Sequence, residues 1–440
     1  MIKRIAHPGL PWLSLALALL TSACIPAGVR VPQSEFSGML ERKAGLIAYL
    51  AIDGNIYTID QGGNNKTPVT TDAFSDGTNY LFYDRPIWSP NSQSLAFAGF
   101  EGAADTAPTS YSLFTAGKDG SALVETHKSP NFLVFYYWSP NSDQLGFISE
   151  TPNQSLALRT VPIQGGEAAR LVDAGAPYYW AWSPDGSSLM AHAGGSLSSQ
   201  AHLSLLQLEP EVIEYGIDLK PAPFKAPAFS PDGSKVLVAG QTEAGASALV
   251  LMDVLGQNQE VLTEYNGQIA FAWSPNGQRV AYMVSPDSEI GTPGALTILD
   301  PTGRKQPVEL KDQAVYAFFW SPDSKSLAYF IDAPLPVEEG AEPPAADQPN
   351  FVWGLHVLDA ASGRTHSVQS TMLATERFLQ VIPYFDQYNQ TLTIWSPDSQ
   401  NIVLSGYRSD GTPTITVVAA SGKLEPRYIA DGWTAFWSPK

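Results

Sequence analysis

The chain has 440 residues, of which 36 are Gly and 35 are Pro, and only 15% are charged. This composition predicts frequent turns around a large core, and it excludes collagen-like chains and highly charged disordered chains. The formal net charge of −18 disfavours nucleic acid as a partner, because an acidic surface repels phosphate backbones.

The amino-terminal residues are typical of a secretion signal. Lys3 and Arg4 give a positive start, and the apolar stretch at 10–20 is too short to span a bilayer comfortably. Small residues at 21–23 then precede Cys24, the single cysteine of the chain. The pattern resembles a bacterial lipobox, although Thr stands where Leu is usual. The resemblance implies cleavage before Cys24 and lipid attachment at that residue; the alternative is an ordinary secreted protein whose signal ends nearby.

These features divide the chain into three parts. We expect a lipoprotein signal peptide over 1–23, a flexible tether over 24–44 and one folded body over 45–440. The mature protein is then exported and held on the extracytoplasmic side of a bacterial membrane, in the cell envelope or periplasm, with the lipid anchor as its membrane contact.

One short motif recurs through the body: an aromatic residue, Ser, Pro, and in seven of the eight copies Asp or Asn. Successive copies lie 42 to 50 residues apart, except for one interval of 75. A period in the forties is the length of one blade, a four-stranded antiparallel unit of a ring-shaped all-β fold. The motif copies begin at Trp88, Trp138, Trp182, Phe229, Trp273, Trp320, Trp395 and Trp437.

Each repeat predicts the same order of strands. An apolar run ends in the aromatic residue, and Ser-Pro-Asp or Ser-Pro-Asn makes a tight turn, because Pro presets φ and Asx residues favour turns. A β-rich second strand follows, as at 236–238, and then a third, as at 249–251. We expect antiparallel hairpins in series.

The two ends of the body complement each other. It begins with strands at 46–49 and 56–60 that lack a preceding motif, and it ends with the first strand of a new unit at 433–437. Pairing these strands would complete one blade and close the ring, which removes two exposed sheet edges. The sequence thus predicts a single all-β propeller, with eight blades or, as the alternative, seven.

The repeated Trp-Ser-Pro-Asp-Gly units resemble the WD40-like β-propeller repeat of the TolB type, over roughly 45–440. That repeat also occurs in propellers attached to prolyl-oligopeptidase-type hydrolases and in many envelope lipoproteins. The resemblance implies a propeller of the lipoprotein form. We expect a propeller without the hydrolase domain, and the stretch at 25–46 is too short for the α/β domain of TolB itself.

The long interval enlarges one repeat over about 331–390. An acidic, Pro-rich run at 333–350 predicts a solvated loop. A second segment at 372–390 is rich in aromatic residues, which predicts either a lid packed on its own blade or a loop that carries specificity.

The sequence offers little catalytic equipment. It has no G-x-S-x-G elbow, no His spacing suited to zinc and no phosphate-binding glycine pattern. Asp in the repeated turns alternates with Asn, which favours turn chemistry over a calcium site. We expect no catalytic residues, no metal and no cofactor.

The residues just before each motif are candidates for ligand contact. The first strand of a blade is innermost, so these residues approach the central channel. Aromatic rings with a few charges suit a peptide or a sugar; the alternative is that the rings only fill space between blades. We expect Asp84, Arg85, Tyr178 and Lys225 to line a water-accessible funnel. The full set of candidate channel residues is Asp84, Arg85, Tyr136, Tyr178, Trp180, Lys225 and Tyr316.

Three hypotheses for function follow. The leading one is a non-enzymatic envelope lipoprotein that serves as a binding or scaffold module for a protein, peptide or glycan. The first alternative is a propeller enzyme, of hydrolase or lyase type, with a site built from blade loops. The second is a structural subunit of an envelope complex.

Overall fold

The structure is a computed structural model that describes Arg30 and residues 43–153, 155–195, 198–223, 225–287, 289, 291–333 and 352–440. The predicted signal peptide, Cys24, most of the predicted tether and the acidic run at 334–350 lie outside the described residues. No helix within the described part of the chain has the length and apolar character that a membrane span requires.

The described residues are organised almost entirely as β-strands. The short, often β-branched and aromatic runs between Pro- and Gly-containing turns favour strands over helices. In chain order the strands are β1 (Ile47–Ala51), β2 (Ile56–Ile59), β3 (Thr67–Pro68), β4 (Phe74–Ser75), β5 (Asn79–Trp88), β6 (Ser94–Ala103), β7 (Ser110–Gly117), β8 (Val124–Ser129), β9 (Leu133–Trp138), β10 (Gln144–Glu150), β11 (Leu156–Pro162), β12 (Arg170–Gly175), β13 (Tyr178–Trp182), β14 (Ser188–Ala193), β15 (His202–Gln207), β16 (Ile213–Gly216), β17 (Ala228–Phe229), β18 (Lys235–Gln241), β19 (Ser247–Asp253), β20 (Glu260–Tyr265), β21 (Gln268–Trp273), β22 (Val280–Ser285), β23 (Gly294–Leu299), β24 (Val308–Trp320), β25 (Ser326–Asp332), β26 (Val352–Asp359), β27 (Thr365–Leu373), β28 (Asn401–Tyr407), β29 (Pro413–Ala419) and β30 (Arg427–Trp437).

Strands that follow one another in the sequence pair antiparallel in the sheets. The orders β9 to β12, β13 to β16 and β17 to β20 each form a four-stranded sheet. β24 and β30 are long strands that each pair with a preceding strand through their first part and with a different strand through their second part. Each of them therefore links two neighbouring units, and the predicted all-β fold class is confirmed.

The sheets follow one another around a ring. β6 contacts β9, β11 contacts β13, β17 contacts β21 and β27 contacts β28. The second part of β30 pairs with β1, from Ile47 opposite Trp437 to Leu50 opposite Thr434. The predicted pairing of the amino- and carboxy-terminal strands is confirmed. The number of blades stays a prediction.

The Ser-Pro turns show why the motif has its sequence. The hydroxyl of Ser230 donates to Asp232 Oδ1 at 2.6 Å, and this bond lowers the pKa of the Asp232 carboxyl. The amide of Gly233 closes the turn on the Ser230 carbonyl at 2.8 Å, with a φ of 72° that suits glycine. These turns all follow first strands and share one face of the ring, which we call the lower face. The opposite face is the upper face.

The motif aromatics connect consecutive blades. In five of them the indole N–H donates to the carbonyl of the residue that precedes the motif aromatic of the previous blade, which satisfies two buried polar groups at once. The five bonds are Trp88 to Phe436 at 3.2 Å, Trp138 to Ile87 at 3.3 Å, Trp273 to Ala228 at 3.1 Å, Trp320 to Ala272 at 3.4 Å and Trp395 to Phe319 at 2.9 Å.

The remaining three motif positions lack this bond. Phe229 has no N–H to donate, and the indole nitrogens of Trp182 and Trp437 have no hydrogen-bond partner among the described residues. Both indole rings are nevertheless buried, so at these positions the contact between blades is apolar packing.

Candidate functional site

The segment 374–394, which we call the insertion, contains the described helices of the molecule. It leaves the upper end of β27 and forms α1 (Glu376–Leu379), a 3-10 turn (Ile382–Tyr384) and α2 (Phe385–Tyr388). Thr375 caps α1, since its side chain accepts a hydrogen bond from the Phe378 amide. The insertion then descends to Trp395, the next motif aromatic.

Apolar side chains of the insertion pack against the first strands of two blades and the second strand of one of them. Phe378, Phe385 and Tyr388 are all buried, and each meets a ring from a different strand. These contacts run from Phe378 to Phe330 on β25, from Phe385 to Phe318 on β24 and from Tyr388 to Phe135 on β9, with ring centres 5.7, 4.8 and 5.0 Å apart. The insertion therefore occupies the central channel and reaches well beyond its own blade.

Amide side chains below α2 extend this contact. Asn389 Nδ2 donates to the Phe318 carbonyl at 3.3 Å, and Gln390 Nε2 donates to the Pro227 carbonyl at 3.4 Å. The Tyr137 hydroxyl donates to Gln390 Oε1 at 3.0 Å. Hydrogen bonds thus connect one short segment to three separate parts of the channel wall.

Two ion pairs join the insertion to residues predicted to line the channel. Arg377 Nη1 lies 3.4 Å from Asp84 Oδ2, and Lys225 Nζ lies 3.4 Å from Asp386 Oδ2. Asp84, Lys225 and Asp386 are buried, so each charge depends on its partner. These charged groups hold the insertion in place.

Arg85 lies at an irregular point of β5. Its φ is 47°, a left-handed conformation unusual for a residue with a side chain, beside a break in the pairing of β5 with β6. The guanidinium donates to the Val134 carbonyl at 3.0 Å and to the Tyr388 hydroxyl at 3.1 Å. The Arg85 carbonyl accepts from Tyr136 at 2.7 Å. Arg85 thus joins two blades and the insertion.

The structure corrects one sequence-based expectation. Asp84, Tyr178 and Lys225 are buried, and the Arg85 side chain is largely covered, so these residues do not line a water-accessible funnel. For Asp84, Arg85 and Lys225 the physical reason is the insertion, which contacts all three. Tyr178 instead packs toward the preceding blade, where its hydroxyl donates to Asp173 Oδ2 at 2.8 Å. Any role of these residues in ligand binding stays a prediction.

The other candidate channel residues differ in how far they are buried. Tyr136 and Trp180 are buried in the wall. Tyr316 is partly exposed, stacks on Trp353 with 5.5 Å between ring centres, and donates to Asp332 at 3.1 Å. The structure brings Asp84, Arg85 and Tyr136 together, whereas Tyr316 lies apart from them.

The sequence analysis did not predict that the insertion lies in the central channel, although the sequence contains a signal for its burial. Apolar residues recur at helical spacing through the segment, which indicates one buried helical face. These residues are Phe378, Val381, Ile382, Phe385 and Tyr388. The spacing predicts burial, but it does not identify the surface that covers the helical face.

The closed ring, the radial sheets and the filled central channel identify the architecture. The fold is that of a β-propeller. One similar solved structure is a prolyl endopeptidase, at 11% identity over 82% of this chain and 50% of that chain, with a TM-score of 0.52. No family model and no curated protein matches the sequence.

Two further solved structures have lower scores. TolB from Acinetobacter baumannii is 13% identical over 95% of this chain and 89% of that chain, with a TM-score of 0.36. An oligogalacturonate lyase in complex with manganese is 15% identical over 86% of this chain and 97% of that chain, with a TM-score of 0.48. The predicted TolB-like β-propeller is confirmed as a fold, and identities this low carry nothing further.

Beside the insertion, the long strands β5 and β6 extend the upper face of the propeller. β5 and β6 are ten residues each, and their upper ends carry stacked rings: Tyr80 lies 5.5 Å from Phe82, and Phe82 lies 5.0 Å from Phe100. The Arg377 guanidinium lies 6.0 Å from the centre of the Phe82 ring, and Tyr384 is 36% exposed. We call Tyr80, Phe82 and Arg377 the upper-face cluster.

A groove of about 690 Å³ opens on the flank, between β27 and the strands β28 and β29. Among the described residues that line the groove, one is charged. This residue, Arg408, lies 3.3 Å from Asp431 and 3.7 Å from Asp410, so its charge is balanced. Apolar side chains, including Met372, Leu404 and Tyr407, make up most of the remaining wall.

The ionisable groups do not form a metal site in the described part of the chain. No group of three or more His, Cys, Asp or Glu side chains is placed there to hold an ion. The repeated turn carboxylates accept hydrogen bonds from their own Ser residues, as Asp185 does from Ser183 at 2.6 Å.

Proposed function

We propose that this protein is a non-enzymatic binding or scaffold module, anchored by lipid at Cys24 to the extracytoplasmic side of a membrane. Its upper-face cluster engages a protein, peptide or glycan of the cell envelope. The observation that carries the proposal is the filled channel, because the insertion closes the usual central cavity and itself contributes to the surface above it.

The chemistry of the upper-face cluster suits recognition. Tyr, Phe and Arg offer large contact faces with few rotatable bonds, so they lose little conformational freedom on binding. Phe82 is stacked between two rings, and Arg377 is held by Asp84, so both are ordered before a partner arrives. Such preorganisation lowers the cost of association.

The charged groups of the channel support a structural role over a catalytic one. A general acid or base must reach a substrate atom. Asp84 and Asp386 are buried and paired with Arg377 and Lys225, so their charges are already engaged within the chain. These buried and paired carboxylates favour a scaffold role over an enzymatic one.

Crosslinked pull-down from native membranes, followed by mass spectrometry, tests the binding role. Tyr80→Ala and Phe82→Ala should each weaken capture of the principal partner about tenfold, the effect of about 1.4 kcal/mol. Tyr215→Ala is the control, since Tyr215 is an exposed ring on the outer strand β16. Equal capture by all four proteins, or turnover of a captured molecule, would overturn the proposal.

Metabolic labelling tests the anchor separately. An alkyne fatty acid should label the wild-type chain and leave Cys24→Ala unlabelled, because Cys24 is the single thiol. Equal labelling of both chains would refute lipid attachment at Cys24 without bearing on the upper face.

A further inference from the structure

The fourth motif copy combines two departures from the others. Phe229 stands where the other seven copies carry Trp. Gly233, in the turn that follows, stands where four other copies carry Ser. Those four residues are Ser92, Ser142, Ser324 and Ser399. Both departures remove polar groups, because phenylalanine has no indole N–H and glycine has no hydroxyl.

The missing groups matter because they join the lower ends of consecutive blades elsewhere in the ring. The motif indole donates to a carbonyl of the preceding blade, as Trp395 does at 2.9 Å. The turn Ser accepts a hydrogen bond from an amide in the turn of the preceding blade, as Ser399 does at 3.1 Å. Phe229 and Gly233 can make neither bond. The junction between the sheet β13 to β16 and the sheet β17 to β20 therefore lacks both.

A cavity of about 480 Å³ lies on the lower face at this same junction. Small-molecule sites have volumes of about 300 to 1,000 Å³, so the cavity is large enough to hold a ligand. The apolar part of its wall is formed by Phe229, Leu205, Val254 and Pro184. Because a phenyl ring is smaller than an indole ring, the departure at position 229 leaves space that the other motif copies fill.

The polar part of the wall is negatively charged. Asp185 and Asp232, one from each blade, line the cavity. Each uses Oδ1 within its own turn, where Ser183 and Ser230 donate at 2.6 Å. These bonds lower the pKa of both carboxyls, so both are ionised at neutral pH. Among the described residues none donates to either Oδ2, and the lining includes no Lys, Arg or His.

We propose that this cavity binds the ammonium group and alkyl chain of an aliphatic amine. The ammonium group donates to the Oδ2 atoms of Asp185 and Asp232, and the alkyl chain packs against Phe229 and Leu205. A partly exposed ion pair contributes little by itself, so burial of the alkyl chain supplies much of the affinity. The two negative charges repel anions. The site is separate from the upper-face cluster and does not depend on the function proposed for that cluster.

Calorimetric titration of the full chain with n-pentylamine at pH 7.5 tests the proposal. We expect saturable binding of one amine per chain. Pentan-1-ol has the same alkyl chain without the charge, and it should bind at least about tenfold more weakly. Nα-acetyl-lysine N-methylamide is titrated separately, because tighter binding of this compound would assign the ammonium group to a lysine of a protein partner, and tighter binding of pentylamine would assign it to a free amine.

The motif itself supplies variants that remove the charge and keep the turn. Asn occupies the same turn position in three other copies, which are Asn91, Asn141 and Asn276. Asp185→Asn with Asp232→Asn should therefore fold normally and weaken pentylamine binding at least about tenfold. Asp323→Asn with Asp398→Asn is the matched control, since it makes the same change in two consecutive turns away from the cavity. This control should bind pentylamine as the wild type does.

Phe229→Trp tests the place of binding independently of charge. The substitution introduces the residue that the other seven copies carry, so the melting temperature should not fall, whereas the larger ring should occupy the cavity and abolish pentylamine binding.

Four results would overturn the proposal. They are the absence of saturable pentylamine binding to the wild type, equal binding of pentan-1-ol, wild-type affinity in the double variant at Asp185 and Asp232, and wild-type affinity in Phe229→Trp. An equal loss of affinity in the control variant at Asp323 and Asp398 would also contradict it, because the amine would then respond to the charge of the whole lower face.

Discussion

The central channel and the flank groove are both concave, yet they differ in what their walls offer. The channel wall presents charges and polar groups, and the insertion meets them with Arg377, Asp386 and Gln390. The groove wall is neutral and mainly apolar, and its large side chains are exposed. The comparison shows that Tyr136, Tyr178 and Trp180, which precede motifs, are buried, whereas exposed large side chains lie on the flank. Substitutions in the channel should therefore change stability, and those at the groove should change contacts.

The largest effect should come from removing the strand that closes the ring around the channel. Deleting 432–440 removes the partner of β1 and the buried rings of Phe436 and Trp437, each worth about 3 to 5 kcal/mol. That loss approaches the whole stability of an ordinary domain. We expect no cooperative unfolding transition in urea at 25 °C. A wild-type midpoint in the truncated chain would show that closure contributes little.

Within the channel, Phe385→Ala should be strongly destabilising. Phe385 is buried against Phe318, so its loss leaves a cavity that costs about 3 to 5 kcal/mol in the free energy of unfolding. Tyr384→Ala is the control, since the neighbouring ring is partly exposed and should cost less than about 1 kcal/mol. Similar urea midpoints for the two variants would contradict a tightly filled channel.

The next largest effect should come from breaking the ion pair between Lys225 on the channel wall and Asp386 of the insertion. Lys225→Met leaves Asp386 buried without its cation, at a cost of about 3 kcal/mol in unfolding free energy. Adding Asp386→Leu should recover most of that loss, because no buried charge then remains. Lys128→Ala, which breaks an exposed pair with Glu101, should cost less than about 1 kcal/mol. No recovery in the double variant would refute this role.

A buried histidine beside the channel predicts a pH dependence. Burial lowers the pKa of His192 to about 4, and its Nδ1 lies 2.9 Å from the Lys225 carbonyl. In the unfolded chain a histidine has a pKa of about 6.5. The unfolded state therefore binds a proton first as the pH falls, so stability is complete above pH 6.5 and declines towards pH 4, by about 3 kcal/mol.

His192→Gln should remove this part of the acid destabilisation. The free energy of unfolding is measured at pH 7.5 and pH 4.5 for the wild type and for His192→Gln. The carboxylates contribute equally to both chains, so the difference between their pH dependences reports on His192. His202→Gln is the control, since His202 is largely exposed. Parallel pH profiles for wild type and His192→Gln would show that His192 is not held neutral.

The smallest effect on stability should come from the groove. Leu373→Ser changes a side chain that is about half exposed, so the unfolding free energy should shift by less than about 0.5 kcal/mol. A large loss of stability would place Leu373 in the core and would remove the contrast with Phe385.

Much of the fold could be predicted from the sequence because its signals are local and repeated. Ser230, Pro231 and Asp232 make their turn through contacts within six residues, and each copy of the motif adds independent support. The pairing of β1 with β30 is not local. It was predicted because each end lacked what the other supplied.

The candidate site was less predictable because it depends on contacts between distant residues. The sequence predicted Asp84 and Lys225 as residues of a water-accessible funnel, whereas both are buried. It gave no means to see that Arg377 and Asp386, more than 150 residues away in the chain, would cover them. Arg30 and Val368 are in contact although they lie 338 residues apart in the sequence, and no local sequence pattern indicates this contact.

Because β30 pairs with both β29 and β1, the ring can close only after β30 has been synthesised. β1 is the first described strand to be synthesised and can pair at once with β2 on one side, yet its partner on the other side, β30, is the last described strand. Throughout elongation β1 therefore presents an unpaired edge, which is a template for aggregation. The channel likewise stays empty until residues 374–394 follow the strands that surround them. A ribosome that stalls late would thus release a nearly complete protein that has an open edge, and chaperones or proteases would have a clear feature by which to recognise it.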